Sequence, residues 1–281
     1  MLTSTHFQSA EPPRFGAIII GDEILSGKRE DKHLRKIIEI LGARGLSLAY
    51  AHYVGDNRER ITATLRQGFE SCDVLFSCGG IGATPDDHTR QCAAAALGEP
   101  LALHAQAARL IRERMEDMAR EQGVVFDPER ADNVHRYNMG VFPESAAIIP
   151  NPYNKIPGFS CRHAQGGQIH FVPGFPVMAW PMIEWVLDTY FSAWFHVATS
   201  RERSIIVYGG LEASLTPLME AVEARFPTAR VFSLPSVDHP EHGRHIELGV
   251  KGQGAMLEAA YQMLKEGLIQ FGASIGPELV R

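Results

Sequence analysis

Three short apolar runs, each closed by a turn and followed by a helical pattern, constrain this chain more than any other feature. Phe15 to Ile20 stops at Gly21; Leu46 to Val54 stops at Gly55-Asp56-Asn57; Asp73 to Ser77 runs into a glycine-rich loop. Their lengths and β-branched content predict buried strands. Between and after them, Leu34, Ile37, Ile38 and Leu41, then Ile61, Leu65 and Phe69, recur at helical spacing. An alanine-rich helix is predicted over about Asp86 to Leu97, and a longer one over roughly Gln106 to Gln122. This alternation predicts an α/β fold with a parallel-rich sheet covered on both faces. In such sheets ligands sit at the carboxyl ends of the strands. Gly21-Asp22-Glu23, Gly55-Asp56-Asn57 and the glycine loop all fall at such ends.

From about Ser145 the texture changes to Pro-, Gly- and Asn-rich loops around short strands, followed by an apolar, Trp-rich helix over Val177 to Phe195. A polar break at Thr199 to Glu202 marks a domain boundary. The expected organisation is a flexible tail over 1–14, a main domain over 15–198 and a small α+β domain over 199–281 with one antiparallel pair. Composition matters where it excludes. The net charge of −6 disfavours broad nucleic-acid or anionic-membrane binding, and no apolar run approaches a membrane span. No apolar leader opens the chain. Cys72, Cys78, Cys92 and Cys161 form no CxxC pair, so they read as reduced thiols of a cytoplasmic protein.

The chemistry concentrates in SCGGIGATPDDHT, Ser77 to Thr89. Gly79, Gly80 and Gly82 free the backbone for positive φ and close approach, and their amides with those of the next helix form an anion nest. Thr84-Pro85-Asp86-Asp87 also reads as a helix start, with Thr as N-cap and Pro at N1. The two aspartates then conflict with the nest. A carboxylate about 4 Å from a phosphate costs roughly 4 kcal/mol at an effective dielectric of 20, whereas a helix terminus returns only about 0.3–2 kcal/mol. Three arrangements resolve it: a divalent cation such as Mg²⁺ between carboxylates and phosphates, a ligand whose N–H edge donates to the carboxylates, or an aspartate that points away. Asp22, Glu23 and Asp56 add acid to the same rim.

With these residues in view, the chain resembles the molybdopterin-binding domain family (Mog/MoaB-like), and more closely the N-terminal half of CinA-type competence/damage-inducible proteins. The matching pieces are GDEILSG (Gly21–Gly27), Asp31, VGDN (Val54–Asn57), GGIGATPDDHT (Gly79–Thr89), PNPYNKIPGF (Pro150–Phe159) and VPGFP (Val172–Pro176), in family order over most of 15–195. The resemblance implies a three-layer α/β/α fold, homo-oligomerisation and a pocket for molybdopterin or a related phosphorylated pterin or nucleotide. By that resemblance Asp87 and Asp56 are the functional acids. Gly79, Gly80, Gly82 and Thr84 would cradle phosphate, with Asp22, Glu23 and Ser26 supporting, and Asp86 with Asp87 would hold any metal. A divalent-metal-dependent pyrophosphatase acting on ADP-ribose or FAD-like dinucleotides is the alternative it implies. A scaffold that kept the fold and lost the site is the third reading. Three departures bear on this: Asp31-Lys32-His33 stands where the family has DxN, Met178 where it has glutamate, and Asn154 where it has glycine.

Other leads carry less. GDEILSGK lacks P-loop spacing, no Rossmann GxGxxG follows the first strand, and GVKG (Gly249–Gly252) follows a strand instead of joining two helices. His239, His242 and His245 are a rival metal trio, but three-residue steps do not place ligands on one strand face, so a solvated hairpin is expected. Cys78 reads as a buried strand end; Lys28, Arg29, His88 and Arg90 read as surface charges within reach of a phosphate. Trp180, Trp185 and Trp194 read as core or subunit contact.

Overall fold

The computed structural model describes residues 13–164, 166–197, 201–210 and 212–281. They form two compact units, the first running to Val197 and the second following it. The expected tail up to residue 12, and the start of the expected polar break, lie outside the described residues.

In the first unit, β1 (Phe15–Ile20) leads through a one-turn helix α1 (Asp22–Leu25) and α2 (His33–Gly42) to β2 (Leu48–Val54). Helix α3 (Arg58–Glu70) returns to β3 (Val74–Cys78), and α4 (Thr89–Leu97) follows the glycine loop. The chain continues through β4 (Leu101–Leu103), α5 (Ala105–Glu121), α6 (Ala131–Arg136), β5 (Val141–Pro143), β6 (Ala147–Ile149), β7 (Gly158–Arg162), β8 (Gln168–Val172) and α7 (Pro176–Tyr190). The main sheet has the order β2-β1-β3-β8-β7-β6. Strands β2, β1, β3 and β8 pair in parallel, while β7 and β6 are antiparallel. β4 and β5 form a separate antiparallel pair.

The sheet is a middle layer because its central strands are apolar on both faces. Along β1, Phe15, Ala17 and Ile19 pack with Ile37 and Leu41 of α2 and Ile183 and Leu187 of α7. Ile18 and Ile20 face the other way, toward Ile61 and Leu65 of α3 and Ala93 of α4. The parallel register sets Ile19 beside Tyr53 and Cys78, and Cys78 beside Val172. Four strands therefore end level, and their outgoing loops lie side by side. The chain steps from β1 to β2 on one side and to β3 on the other, the switch point where open α/β sheets bind ligands.

In the second unit the elements are β9 (Arg201–Tyr208), α8 (Glu212–Arg225), β10 (Arg230–His239), β11 (Gly243–Gly252), α9 (Gly254–Gln270) and β12 (Ser274–Val280). They form one antiparallel sheet, β10-β11-β9-β12, in the βαββαβ order of a ferredoxin-like unit. Val207, Leu248 and Val250 pack under Leu215, Val222, Tyr261 and Leu264. The single antiparallel pair expected from sequence is thus corrected to three. Strand β12 was hidden by Gly276-Pro277, which reads as a turn. It is an edge strand, and the register shift between Ile275 and Glu278 absorbs the proline. Among the described residues, no helix is long and apolar enough to cross a membrane. None of the four cysteines is in a disulfide.

Candidate functional site

A cavity of about 430 Å³ lies at the carboxyl ends of the parallel strands, taking its lining from Gly21 after β1, Asp56 after β2, Gly79 to Thr84 after β3 and Pro173-Gly174 after β8. Its acids are Glu23, Asp56, Asp86 and Asp87; Asn154, Phe175 and Met178 also line it. Of the residues singled out from sequence, Gly79, Gly80, Gly82, Thr84, Glu23, Asp56, Asp86 and Asp87 share this cavity. Asp22 and Ser26 are not among its lining. Asp22 sits one step back, where its N–H donates to Asp56 Oδ2 (2.9 Å) and its Oδ1 accepts the Asp56 N–H (3.2 Å). This reciprocal pair ties the loop after β1 to the loop after β2. Ser26 is exposed where α1 ends.

The loop's glycines answer first to the chain's own neighbours. Gly79 has φ +106°, and a Cβ there would sit 2.5 Å from the Ile20 carbonyl oxygen. Gly80, at φ +69°, leaves room for the Thr89 hydroxyl. Gly82 does not take positive φ, contrary to expectation; a Cβ there would meet the Asp87 carboxylate at 2.5 Å. The loop is anchored through its carbonyls. Thr89 Oγ1 donates to Gly79 O (3.2 Å) and Thr89 N to Gly80 O (3.0 Å). Arg90 Nη2 donates to Gly82 O (2.7 Å), and His135 Nε2 to Ala83 O (3.0 Å). With the carbonyls of Gly79, Gly80, Gly82 and Ala83 held, the N–H groups of Gly80, Ile81, Gly82 and Ala83 donate to no protein acceptor among the described residues. Consecutive free amides of this kind form an anion-binding concavity.

The aspartates do not start the helix. Helix α4 begins at Thr89, and its N-cap residue, His88, makes no side-chain capping bond. Asp87 Oδ2 instead accepts from Thr84 N (2.9 Å) and Thr84 Oγ1 (2.5 Å), while Asp87 N donates to Thr84 O (3.0 Å). These bonds close a separate turn over 84–87, so the chain commits to helix only afterwards. Thr84 as N-cap and Pro85 at N1 are corrected accordingly.

Burial pushes the Asp56 carboxyl above its ordinary value, Asp22, Glu23 and Asp86 adding like-charge repulsion against the Asp22 N–H bond. A raised carboxyl pKa means that the associated stability is full below the ordinary carboxylate pKa and is lost as pH rises through the folded-state value. At pH 7 the Asp56 charge is a net cost. Asp56→Asn is therefore expected to raise Tm at pH 7 by a degree or so, since surface changes shift stability by about 0.5 kcal/mol. The gain vanishes below about pH 3.5, below the ordinary Asp pKa. Thermal melts across pH check it; a destabilised variant at pH 7 would show that the charge is compensated.

The donor set also bears on a metal. Among the described residues no group of three or more His, Cys, Asp or Glu side chains is placed to hold an ion. Asp87 spends one oxygen on Thr84, and Asp56 spends one on the Asp22 amide. The expected Mg²⁺ or other divalent ion at Asp86 and Asp87 therefore does not fit these residues as arranged, and no chemical step is derived through it.

The three departures acquire structural roles. His33 is buried at the start of α2, and its Nε2–H donates to Gly174 O (3.0 Å), steadying the loop after β8. Asp31 caps the same helix, accepting from His33 N (2.8 Å) and the Tyr53 hydroxyl (2.7 Å). Asn154 Nδ2 reaches Met178 Sδ (3.3 Å) across the cavity wall. The left-handed residue of that loop is Lys155 at φ +65°, not Asn154. Asn151, overlooked in the residue-level reading although it lies in the PNPYNKIPGF match, is buried and fastens the loop through Asn154 Oδ1 (2.8 Å) and Ile156 O (2.9 Å).

The remaining leads sort as follows. Cys78 is buried at the end of β3, and burial pushes its thiol pKa up. Arg29 lines the cavity beside Glu23 (3.7 Å) and over the Phe175 ring. Trp180, Trp185 and Trp194 pack against the core. The histidine trio does gather, contrary to expectation. The turn between His239 and Gly243 folds the rings together, with centroids 5.0, 5.2 and 5.6 Å apart. Their nitrogens are nonetheless not placed to hold a metal.

Comparison with known proteins agrees with the architecture. A family model described as "Probable molybdopterin binding domain" matches residues 16–193. A CinA-like protein of Syntrophotalea carbinolica is 29% identical over 269 residues, covering 92% of this chain and 60% of its own length. A CinA-like protein of Geotalea uraniireducens is 31% identical over 219 residues, covering 74% of this chain and 47% of its own. The chain thus spans 60% or less of these curated relatives. Among solved structures, a Thermoplasma acidophilum protein described as CinA with unknown function shares the fold at TM-score 0.53 and 24% identity, over 62% of this chain and 97% of that one.

Proposed function

The chain belongs to the molybdopterin-binding domain family, in its CinA-like group, and from that premise we propose that the cavity at the strand ends binds a phosphorylated pterin or nucleotide. The observation that carries this reading is the convergence of four free amides, Gly80 to Ala83, and four carboxylates, Glu23, Asp56, Asp86 and Asp87, on one cavity. The amides take an oxyanion. The carboxylates take the N–H edge of the ring, where charge-assisted hydrogen bonds are about twice as strong as neutral ones. Asp87 has two tasks in this reading: one oxygen fixes the turn through Thr84, and the other meets the ligand. A ring whose edge donates N–H groups resolves the conflict between nest and acids without an ion. Self-association, implied by the family resemblance, belongs to the same reading.

The test uses Asp56→Asn, because Asp56 shapes no part of the glycine loop. Thermal stabilisation by molybdopterin and by ADP-ribose is measured on the wild type and the variant, with turnover followed with and without Mg²⁺ or Mn²⁺. Ligand stabilisation without turnover is expected. In Asp56→Asn the affinity falls by about tenfold or more, since a hydrogen bond to a charged group contributes about 1.5–3 kcal/mol. Unchanged affinity in the variant removes the acids from the site. Metal-dependent turnover would replace the binding reading with hydrolysis.

A further inference from the structure

A second cavity, of about 420 Å³, flanks the same loop and shares Ala83, Thr84 and Asp87 with the first. Its charge is opposite. The first cavity is lined by Glu23, Asp56, Asp86 and Asp87 against Arg29 alone. The second is lined by Arg58, His88 and Arg90, with Asp87 as its one acid.

Arg90 is the unusual member. It is only 4% exposed. Of its guanidinium nitrogens, Nη2 donates to Gly82 O (2.7 Å), while Nε and Nη1 are buried with no hydrogen-bond partner. A guanidinium carries five N–H donors, and a buried cation is ordinarily paired. Among the described residues Arg90 is in no ion pair. Asp87 is near enough to favour its charge, but Asp87 Oδ2 is occupied by Thr84. Arg58, exposed at the start of α3, makes no side-chain hydrogen bond or ion pair among the described residues. His135 completes the wall, with Nε2–H on Ala83 O (3.0 Å) and Nδ1 at 3.2 Å from Asn138 Nδ2.

We propose that this second cavity is an oxyanion subsite, in which Arg58, His88 and Arg90 receive a phosphate-type group. An oxyanion there supplies the missing counter-charge and the missing acceptors. It also stands across the glycine loop from Glu23, Asp56 and Asp86, which line only the first cavity. The loop then presents its free amides beside most of the carboxylates to the first cavity and borders a cationic wall in the second. The same phosphate chemistry has two sources: a phosphate of the ligand held in the first cavity, which rests on the function proposed above, or a free anion, which does not.

The experiment titrates inorganic phosphate against chloride at constant ionic strength, reading thermal stability and heat of binding. The proteins are the wild type, Arg58→Ala, the double variant Arg58→Ala/His88→Ala, and Asp56→Asn. Arg58 is exposed and His88 caps no helix with its side chain, so these variants are expected to fold; Arg90→Lys is added as a conservative probe of the buried cation. Phosphate is expected to stabilise the wild type and Asp56→Asn alike, with affinity about tenfold lower in Arg58→Ala and lost in the double variant. No phosphate-specific stabilisation of the wild type, or equal stabilisation of the double variant, overturns the proposal. A response kept in the double variant and strengthened in Asp56→Asn also overturns it, placing the anion beside the carboxylates of the first cavity. Where the Arg58 dependence holds, ADP-ribose that competes with phosphate assigns the subsite to the ligand's own phosphate. Additive stabilisation assigns it to a free anion. Both results support the subsite.

Discussion

Gly79→Ala is expected to destabilise the first unit by about 3 kcal/mol and to abolish ligand stabilisation. Two terms combine. The residue sits at φ +106°, where a non-glycine residue costs about 1–3 kcal/mol. The added Cβ would lie 2.5 Å from the Ile20 carbonyl oxygen, and overpacking costs about 1–3 kcal/mol more. That oxygen belongs to the central strand and cannot step aside as a side chain would. Gly79 N in turn donates to Val172 O (3.0 Å), so any retreat of Gly79 strains the junction of β3 and β8. At about 2–4 °C per kcal/mol for a unit of this size, Tm falls by about 6–12 °C. Gly98→Ala separates the terms: Gly98 has φ +71° and nothing within 4 Å of its Cβ position. It is expected to cost about 1 kcal/mol and leave binding intact. Equal losses in the two variants would mean that backbone strain alone, not the contact with β1, sets the requirement.

The second large effect is an acid sensitivity that originates away from the cavity. His170 on β8 pairs across strands with Ser160 on β7, and a 2.7 Å hydrogen bond joins His170 Nδ1 and Ser160 Oγ. Phe76, Tyr190 and Phe191 surround the ring, and Nε2 is buried without a partner. Burial pushes the imidazole pKa down to about 3 from its ordinary 6.5. A depressed histidine pKa means that the unfolded chain binds the proton first. The associated stability is therefore full above pH 6.5 and drains away as pH falls toward 3. Each pH unit in that window costs about 1.4 kcal/mol, so roughly 3 kcal/mol is gone by pH 4.5. Ser160→Ala/His170→Phe removes both polar partners together and leaves neither stranded. The wild-type minus variant difference in unfolding free energy should be flat above pH 7.5 and fall by roughly 3 kcal/mol at pH 4.5. Parallel curves would show that His170 reaches solvent before the fold opens.

Much of the first unit is legible in the chain because its central strands are apolar on both faces. Phe15 to Ile20 needs no alternation to be recognised when helices cover it from both sides. That the glycine loop borders a cavity at the strand ends is legible, but for partly mistaken reasons. Gly79, Gly80 and Gly82 are required by Ile20, Thr89 and Asp87 before any ligand is considered. The turn over Thr84 to Asp87 uses the same residues as a helix start, and local sequence cannot tell the two apart. Only the anchoring of Gly80 O by Thr89 N settles where α4 begins. Arg90 reads as a surface charge in sequence because its burial depends on elements distant along the chain, such as β5 packed against α4, which local pattern does not report. The histidine trio was dismissed by strand periodicity, a rule that fails where the chain reverses between His239 and Gly243. Asp22 and Ser26 were grouped with the site by proximity in sequence. Yet a one-turn helix is enough to send the Asp22 carboxylate to the Asp56 amide and Ser26 into solvent.

The anchoring of four loop carbonyls, those of Gly79, Gly80, Gly82 and Ala83, by Thr89, Arg90 and His135 has a consequence for how such a protein diversifies. The shape of the cradle is written by residues behind it, which its occupant does not need to touch. Side chains on the rim are then free to change without the backbone having to find its form again. In the proposed binding reading, a shift in preference from one guest to another requires only new groups at the edge of that frame.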